Sequence, residues 1–158
     1  MSPRRTAAGR GRIRIDVGRA GVRGGLATDV VRRVAALVLR AEKVRRATLS
    51  VALVSDTMMM RVNAIYRGSR RRTDVIAFAL PDPAGQVVGD IYIAPAAARR
   101  FAVRHGVSIR EENVRLVVHG VLHVLGYDHP EGAGRTRSPM WRRQEALVAR
   151  AMRSGQWS

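Results

Sequence analysis

Apolar residues recur along this chain with a period of two in some stretches and with helical spacing in others, and the switches between them mark its elements. From Arg12 to Val17, Ile13, Ile15 and Val17 alternate with polar residues, which predicts a half-buried strand. Leu26, Val30, Val34, Leu37, Val38 and Ala41 fall at helical spacing and predict a helix between Leu26 and Lys43. Ala47 to Val54, rich in branched apolar side chains, reads as a second strand. Ser55 or Asp56 then caps a helix through Met59, Val62, Asn63 and Tyr66. Its three consecutive methionines, Met58 to Met60, are expected to fill core space, because a flexible thioether adapts to irregular gaps.

A basic loop from Arg67 to Arg72 leads into a strand over Asp74 to Phe78. Pro81 to Gly85 is a turn and Val88 to Ile93 a returning strand, so the pair predicts a hairpin. Pro95 opens a helix that reaches His105. Ser108-Ile109-Arg110-Glu111 fits a capping box, and the helix behind it is apolar nearly all round from Val114 to Leu125, the mark of a buried helix. Ser138-Pro139 caps a last amphipathic helix through Trp141, Ala146, Leu147 and Met152. Four strands and about five helices, without repeat or linker, predict one α+β domain over residues 13–155, built on a four-stranded mixed sheet. A basic, flexible segment, 1–12, is expected ahead of it.

Composition narrows the class. The chain has 158 residues, enough for a real core, and its 46% apolar content excludes a disordered protein. No stretch of about eighteen apolar residues occurs, so no membrane span is expected. Cysteine is absent, which removes disulfides and thiolate ligands and makes a reducing cytoplasm the expected location. The arginine-rich start, Met1 to Arg12, lacks the apolar segment of a secretory signal. Net charge is +17, from 29 basic residues, all arginine except Lys43, against 12 acidic ones. A codon bias accounts for arginine over lysine, but the excess itself attracts polyanions, of which nucleic acid is the commonest.

The chemistry gathers in one run. Three of the four histidines, His119, His123 and His129, lie within His119-Gly120-Val121-Leu122-His123-Val124-Leu125-Gly126-Tyr127-Asp128-His129. Residues four apart stack on one helix face, so His119 and His123 point to a common place. Gly126 is expected in the left-handed conformation that ends a helix, which turns the chain back and delivers His129 to the same place. Histidines four apart are commonly just packing. On a buried helix, however, an imidazole left unpaired costs roughly 1–3 kcal/mol, so these two must be hydrogen-bonded or coordinated. Gly120 costs roughly 1 kcal/mol relative to alanine inside a helix, which predicts a close backbone approach there. Three imidazoles with a fourth position open form the ligand set of a catalytic zinc at the end of a buried helix. Nickel or iron would also accept three imidazoles.

The same run resembles the signature of the YbeY family, bacterial metal-dependent endoribonucleases of ribosomal RNA maturation. Asn63-x-x-Tyr66-Arg67-Gly68, Thr73-Asp74-Val75-Ile76-Ala77-Phe78 and Gly89-Asp90-Ile91-Tyr92-Ile93 are similar to further elements of that family, in order and spacing. The resemblance covers roughly residues 45 to 150. Val62 and Ile76 stand where the family usually has leucine, and Ala77 where it usually has serine, which removes a hydroxyl beside the site. The resemblance implies that His119, His123 and His129 hold one zinc per chain and that Arg67 is the further catalytic residue. An arginine fork suits the non-bridging oxygens of a phosphodiester. It implies a hydrolase, an endonuclease acting on single-stranded ribosomal RNA at the small-subunit 3′ end and in ribosome quality control, with ribosomal particles or proteins as partners and no DNA.

Asp128 and Asp90 are candidates to accept the second N–H of a ligand imidazole. For Asp74 and Asp90 a turn or strand-end role competes, and His105 reads as a plain surface histidine. Two rival functions remain. A zinc metalloprotease shares the histidine spacing but carries glutamate after the first histidine, where this chain has Gly120. A non-catalytic ribosome-assembly or RNA-binding factor would hold the zinc structurally, which calls for a fourth protein ligand.

Overall fold

The computed structural model describes residues 11–69 and 71–155. All but the end of the expected basic segment, 1–12, and Arg70 of the basic loop lie outside the described residues. Four strands, β1 (Ile13–Arg19), β2 (Ala47–Leu53), β3 (Val75–Leu80) and β4 (Val87–Ile93), form one sheet in the order β1-β2-β4-β3. The first, second and fourth run parallel, with Ile15 beside Leu49 and Leu49 beside Gly89. β3 closes antiparallel on β4, the expected hairpin. Asp82 holds its turn: the carboxylate accepts the Gln86 N–H at 3.0 Å and the carbonyl accepts that of Gly85 at 3.0 Å.

Five α-helices join the strands: α1 (Thr28–Ala41), α2 (Asp56–Arg67), α3 (Pro95–His105), α4 (Ile109–Val124) and α5 (Pro139–Arg153). A 3-10 helix, Gly132–Arg137, was not expected from the apolar pattern, and it sits between the last histidine and α5. The result is a single α+β domain on a mixed four-stranded sheet. α1 starts two residues later than its periodicity predicts. Leu26 is buried, but its carbonyl accepts the Arg19 guanidinium instead of starting a helix. Apolar spacing thus continues into the core through a residue that is not helical.

One sheet face is sealed. α1 and α4 pack on it, with α5 behind them against both helices, through Val34, Val38, Leu49, Ile91, Val118, Leu122 and Leu147, all buried. Each such side chain stabilises the fold by roughly 1.5–3 kcal/mol. α4 settles very close to the strands, because a Cβ on Gly120 would stand 2.7 Å from Ile91 Cγ2, and one on Gly89 2.5 Å from Val124 Cγ1. The close approach expected at Gly120 is there. On the opposite face α2 covers only a corner, with Val54, Met59, Val62, Ile76 and Ala94 in a smaller cluster. The methionine run is core filler at one position only. Met59 is buried, whereas Met58 and Met60 are exposed, since helical neighbours of an inward residue point outward.

Candidate metal centre

Local rules set the path of the chain through the site. The Ser108 hydroxyl accepts the Glu111 N–H at 3.2 Å, which caps the start of α4. At the other end Leu125 is the cap residue and Gly126 lies at φ 96°. The Tyr127 N–H then bonds the Leu122 carbonyl at 3.0 Å, and the Gly126 N–H bonds that of His123 at 3.0 Å. This is the paired pattern of a glycine-terminated helix. It turns the backbone where the sequence predicts and carries His129 back over α4. Tyr127 fastens the turn, its hydroxyl donating to Glu42 Oε2 at 2.8 Å, while Arg143 of α5 donates to the other Glu42 oxygen. Burial raises the Glu42 pKa, but the bonds from Arg143 and Tyr127 outweigh it and hold the carboxyl below its ordinary range.

The three imidazoles meet as a consequence. Ring centroids of His119, His123 and His129 lie 4.5 to 5.3 Å apart. One ligand nitrogen from each falls within 4.8 Å of the others, the spread that one ion bridges. His119 is 7% exposed, and the other two are half-buried.

Their hydrogen bonds fix which nitrogen is available. His119 Nδ1 lies 2.6 Å from Gln144 Oε1, and His129 Nδ1 lies 3.1 Å from the Pro130 carbonyl. Both oxygens only accept, so each Nδ1 carries a proton, and it is Nε2 that offers the lone pair of the neutral ring. His123 bonds the backbone of Tyr127. Burial pushes His119 down to about 4, against the opposing bond to Gln144, with His123, Arg135 and His129 adding to the fall. Burial also lowers His123, helped by His129 and Arg67. Neutral imidazoles with oriented lone pairs are the form a metal ion binds, so the donor set fits a divalent metal.

The trio opens into a cavity of about 390 Å³ that is also lined by Arg67, Thr73, Asp74, Ala77, Asp128, Glu131 and Arg135. Arg67, at the end of α2, is exposed at its edge. All four site residues singled out in the sequence therefore share one cavity. Ala77 lines it as well, so the hydroxyl missing at that position is missing from the site itself. His105, as expected, is remote and exposed, its ring lying 4.2 Å from that of Phe101.

The two carboxylates proposed to orient the ligands do not do so. The Asp128 side chain accepts its neighbour's backbone N–H, from His129, at 2.8 Å. Asp90 follows Gly89, whose missing side chain would point at α4, so strand alternation turns Asp90 to the opposite sheet face. Gln144 and the backbone of Tyr127 and Pro130 hold the imidazoles instead. Gln144 carried a signal in the sequence: with Met140, Leu147, Val148 and Ala151 it lies on the buried stripe of α5, as the polar member. Asp74 and, without any signal in the sequence, Arg135 also join the cavity. Asp74 serves the strand end, its carbonyl accepting the Ala94 N–H at 2.9 Å, yet its carboxyl also lines the cavity. Burial raises that carboxyl above its ordinary range, partly offset by hydrogen bonds from backbone N–H groups and by the charge of Arg135.

Known proteins resemble this chain over most of its length. The family model for endoribonuclease YbeY matches residues 22–152. An endoribonuclease YbeY of Desulfitobacterium hafniense is 36% identical over 137 residues, covering 80% of this chain and 86% of that protein. One from Moorella thermoacetica is 41% identical over 114 residues, covering 65% and 72%. A Thermotoga maritima protein solved in solution shares the fold with a TM-score of 0.61 at 24% identity, over 90% of this chain and 93% of that one.

Proposed function

The chain belongs to the endoribonuclease YbeY family, and from that premise we propose that it is a zinc-dependent hydrolase of single-stranded ribosomal RNA. The observation that carries the reading is the convergence of three imidazoles with Arg67 in one open cavity. We assign His119, His123 and His129 as ligands of one zinc and Arg67 as the catalytic arginine. A zinc ion held there supplies Lewis acidity, activating water near neutral pH and polarising a phosphoryl oxygen.

The chain's own groups do the rest. Arg67 holds the non-bridging oxygens of the scissile phosphate, where negative charge builds up during cleavage. Arg135, across the cavity, adds positive field. Asp74, its carboxyl raised by burial, is the candidate to carry a proton to or from the reacting oxygens. Gln144 keeps the His119 ring in its ligand orientation.

The metalloprotease alternative meets a steric bar. The position that would carry its glutamate, Gly120, faces Ile91 in the core rather than the cavity. The structural-zinc alternative requires a fourth protein ligand, and among the described residues the ligand group holds three. We take residues 13–155 as the catalytic domain and ribosomal particles or their proteins as docking partners. The substrate is the small-subunit RNA 3′ end, in maturation and in quality control. The setting is the cytoplasm; no helix among the described residues is long and apolar enough to cross a membrane.

Elemental analysis of the wild type and of His123→Ala, each assayed on a ribosomal RNA 3′ fragment, tests the assignment. One zinc per wild-type chain is expected, with metal and cleavage lost together in the variant. Stoichiometric zinc without metal-dependent cleavage would instead make the protein an assembly factor.

A further inference from the structure

Aromatic side chains are scarce in this chain, at two Phe, two Trp and three Tyr, yet three of them meet at one place outside the metal cavity. Tyr66 at the end of α2, Phe78 on β3 and Tyr92 on β4 form a row across the sheet face that α2 leaves uncovered. The Tyr66 and Phe78 ring centroids are 4.7 Å apart at 44°, and those of Phe78 and Tyr92 6.5 Å apart at 73°. Phe78 and Tyr92 are half-buried, while Tyr66 at the end of the row is 60% exposed. A core cluster would bury all its rings; this row presents Tyr66 to water.

We propose that this row is a stacking shelf for bases of the single-stranded RNA whose scissile phosphate lies in the metal cavity, a reading that rests on the proposed ribonuclease function. Continuity with that cavity selects the occupant. Tyr66 immediately precedes Arg67, which lines the cavity, and Phe78 immediately follows Ala77, which lines it from the other face of β3. β3 is an edge strand, so an RNA strand leaving Arg67 around that edge arrives on the shelf. The charges divide in the same sense. Cations stand in the cavity, in Arg67 and Arg135, where a backbone phosphate would sit. The shelf itself carries Asp90, close enough to act on Tyr92 and unsuited to a phosphate. Unpaired bases offer π faces to such rings, and paired ones do not, so the shelf accounts for a single-stranded substrate.

The test measures binding of a fluorescent single-stranded oligoribonucleotide to the zinc-loaded full chain by anisotropy, with Tyr66→Ala and Tyr66→Trp beside the wild type. Tyr66→Ala is expected to bind about tenfold more weakly, ~1.4 kcal/mol, as for loss of one stacked base. Tyr66→Trp is expected to bind at least as well as the wild type. An abasic nucleotide moved along the oligonucleotide should weaken wild-type binding by a similar factor at one position and leave Tyr66→Ala unchanged at that position. Wild-type-like binding by Tyr66→Ala, or abasic losses that run parallel in both proteins, would overturn the shelf and point to a protein partner for these rings. The two readings fail separately. Metal-dependent cleavage by the wild type with a silent Tyr66 removes only the shelf, whereas a wild type that neither binds nor cleaves RNA removes both.

Discussion

Of the arginine-bordered hollows among the described residues, two differ most in what lines them, and the larger of the two is not the one with chemistry. A groove of about 550 Å³ runs between β1, α1 and the end of α5, lined by Ile13, Ile15, Arg32, Arg33, Ala36, Leu37, Arg40, Arg150 and Ser154. Its cations stand over an apolar floor with no acid and no histidine in the lining. Two are engaged locally: Arg32 donates to the Ile15 carbonyl at 3.1 Å, and Arg33 pairs with Asp29 at 2.6 Å. The smaller cavity gathers three imidazoles, Asp74, Asp128 and Glu131 alongside Arg67 and Arg135. Size and positive charge are therefore poor guides here. Convergence of groups that donate, accept and coordinate separates a reactive cavity from a crease between elements.

The sharpest way to break that contrast is to remove one arginine from the reactive cavity. Arg67→Ala should lower kcat/KM for RNA cleavage by roughly 10²–10³-fold, the loss typical of a single donor to developing charge. Zinc content by elemental analysis should stay at the wild-type level. Equal loss of metal and activity would turn Arg67 into a structural residue.

Next in size comes the effect of keeping His119 neutral, measured on the metal-free protein. Its folded pKa is depressed to about 4 by burial, below the unfolded value of about 6.5. Below pH 6.5 the unfolded chain takes up a proton that the folded chain refuses, so stability is lost as pH falls toward 4. The full loss is roughly 3 kcal/mol. Urea titrations at neutral and mildly acidic pH should show it in the wild type and not in His119→Asn, the other titrating groups being common to both. Parallel losses in the two proteins would show that His119 is accessible to protons.

Gln144→Leu probes the support of the same ring with a smaller effect. Without the 2.6 Å bond from Nδ1 the imidazole loses its orientation, and zinc affinity in a chelator competition should fall about 10–100-fold. The leucine suits the buried stripe, so the melting temperature of the metal-free protein should change little. Unaltered zinc affinity would mean that packing alone orients His119.

These residues also divide what was legible in the sequence from what was not. The elements were legible because periodicity is local. Ile13-Ile15-Val17 and the apolar sweep of α4 state their own burial, and Gly126 states its own turn. The histidine trio was legible for the same reason, since one helical turn and one glycine-terminated helix end bring all three together within eleven residues. Asp74, Arg135 and Gln144 come from the residue before β3, the 3-10 helix and α5, and only the packing of those elements around α4 joins them to the trio. Asp90 misled because its orientation depends on which face of β4 meets α4, and Gly89 decides that by admitting Val124. The order of strands in the sheet, with β4 inserted between β2 and β3, is likewise a contact between distant segments.

The smallest expected effect bears on the larger groove. Among the described residues Arg40 and Arg150 have no ion-pair partner, so their charges are as open to a phosphate as that of Arg67. What they lack is convergence. Among the described residues no imidazole or carboxylate lines the groove with them, and a phosphate placed there would displace water from two flexible side chains for little net gain, as exposed pairs typically contribute 0–1 kcal/mol. Arg150→Ala should thus leave cleavage within about twofold of wild type and the slope of log K against log salt unchanged. Arg67→Ala should reduce that slope by about one, the mark of a lost phosphate contact. A slope reduced equally by both variants would make the groove part of the RNA path, and the contrast between the two hollows would then be one of catalysis alone rather than of binding.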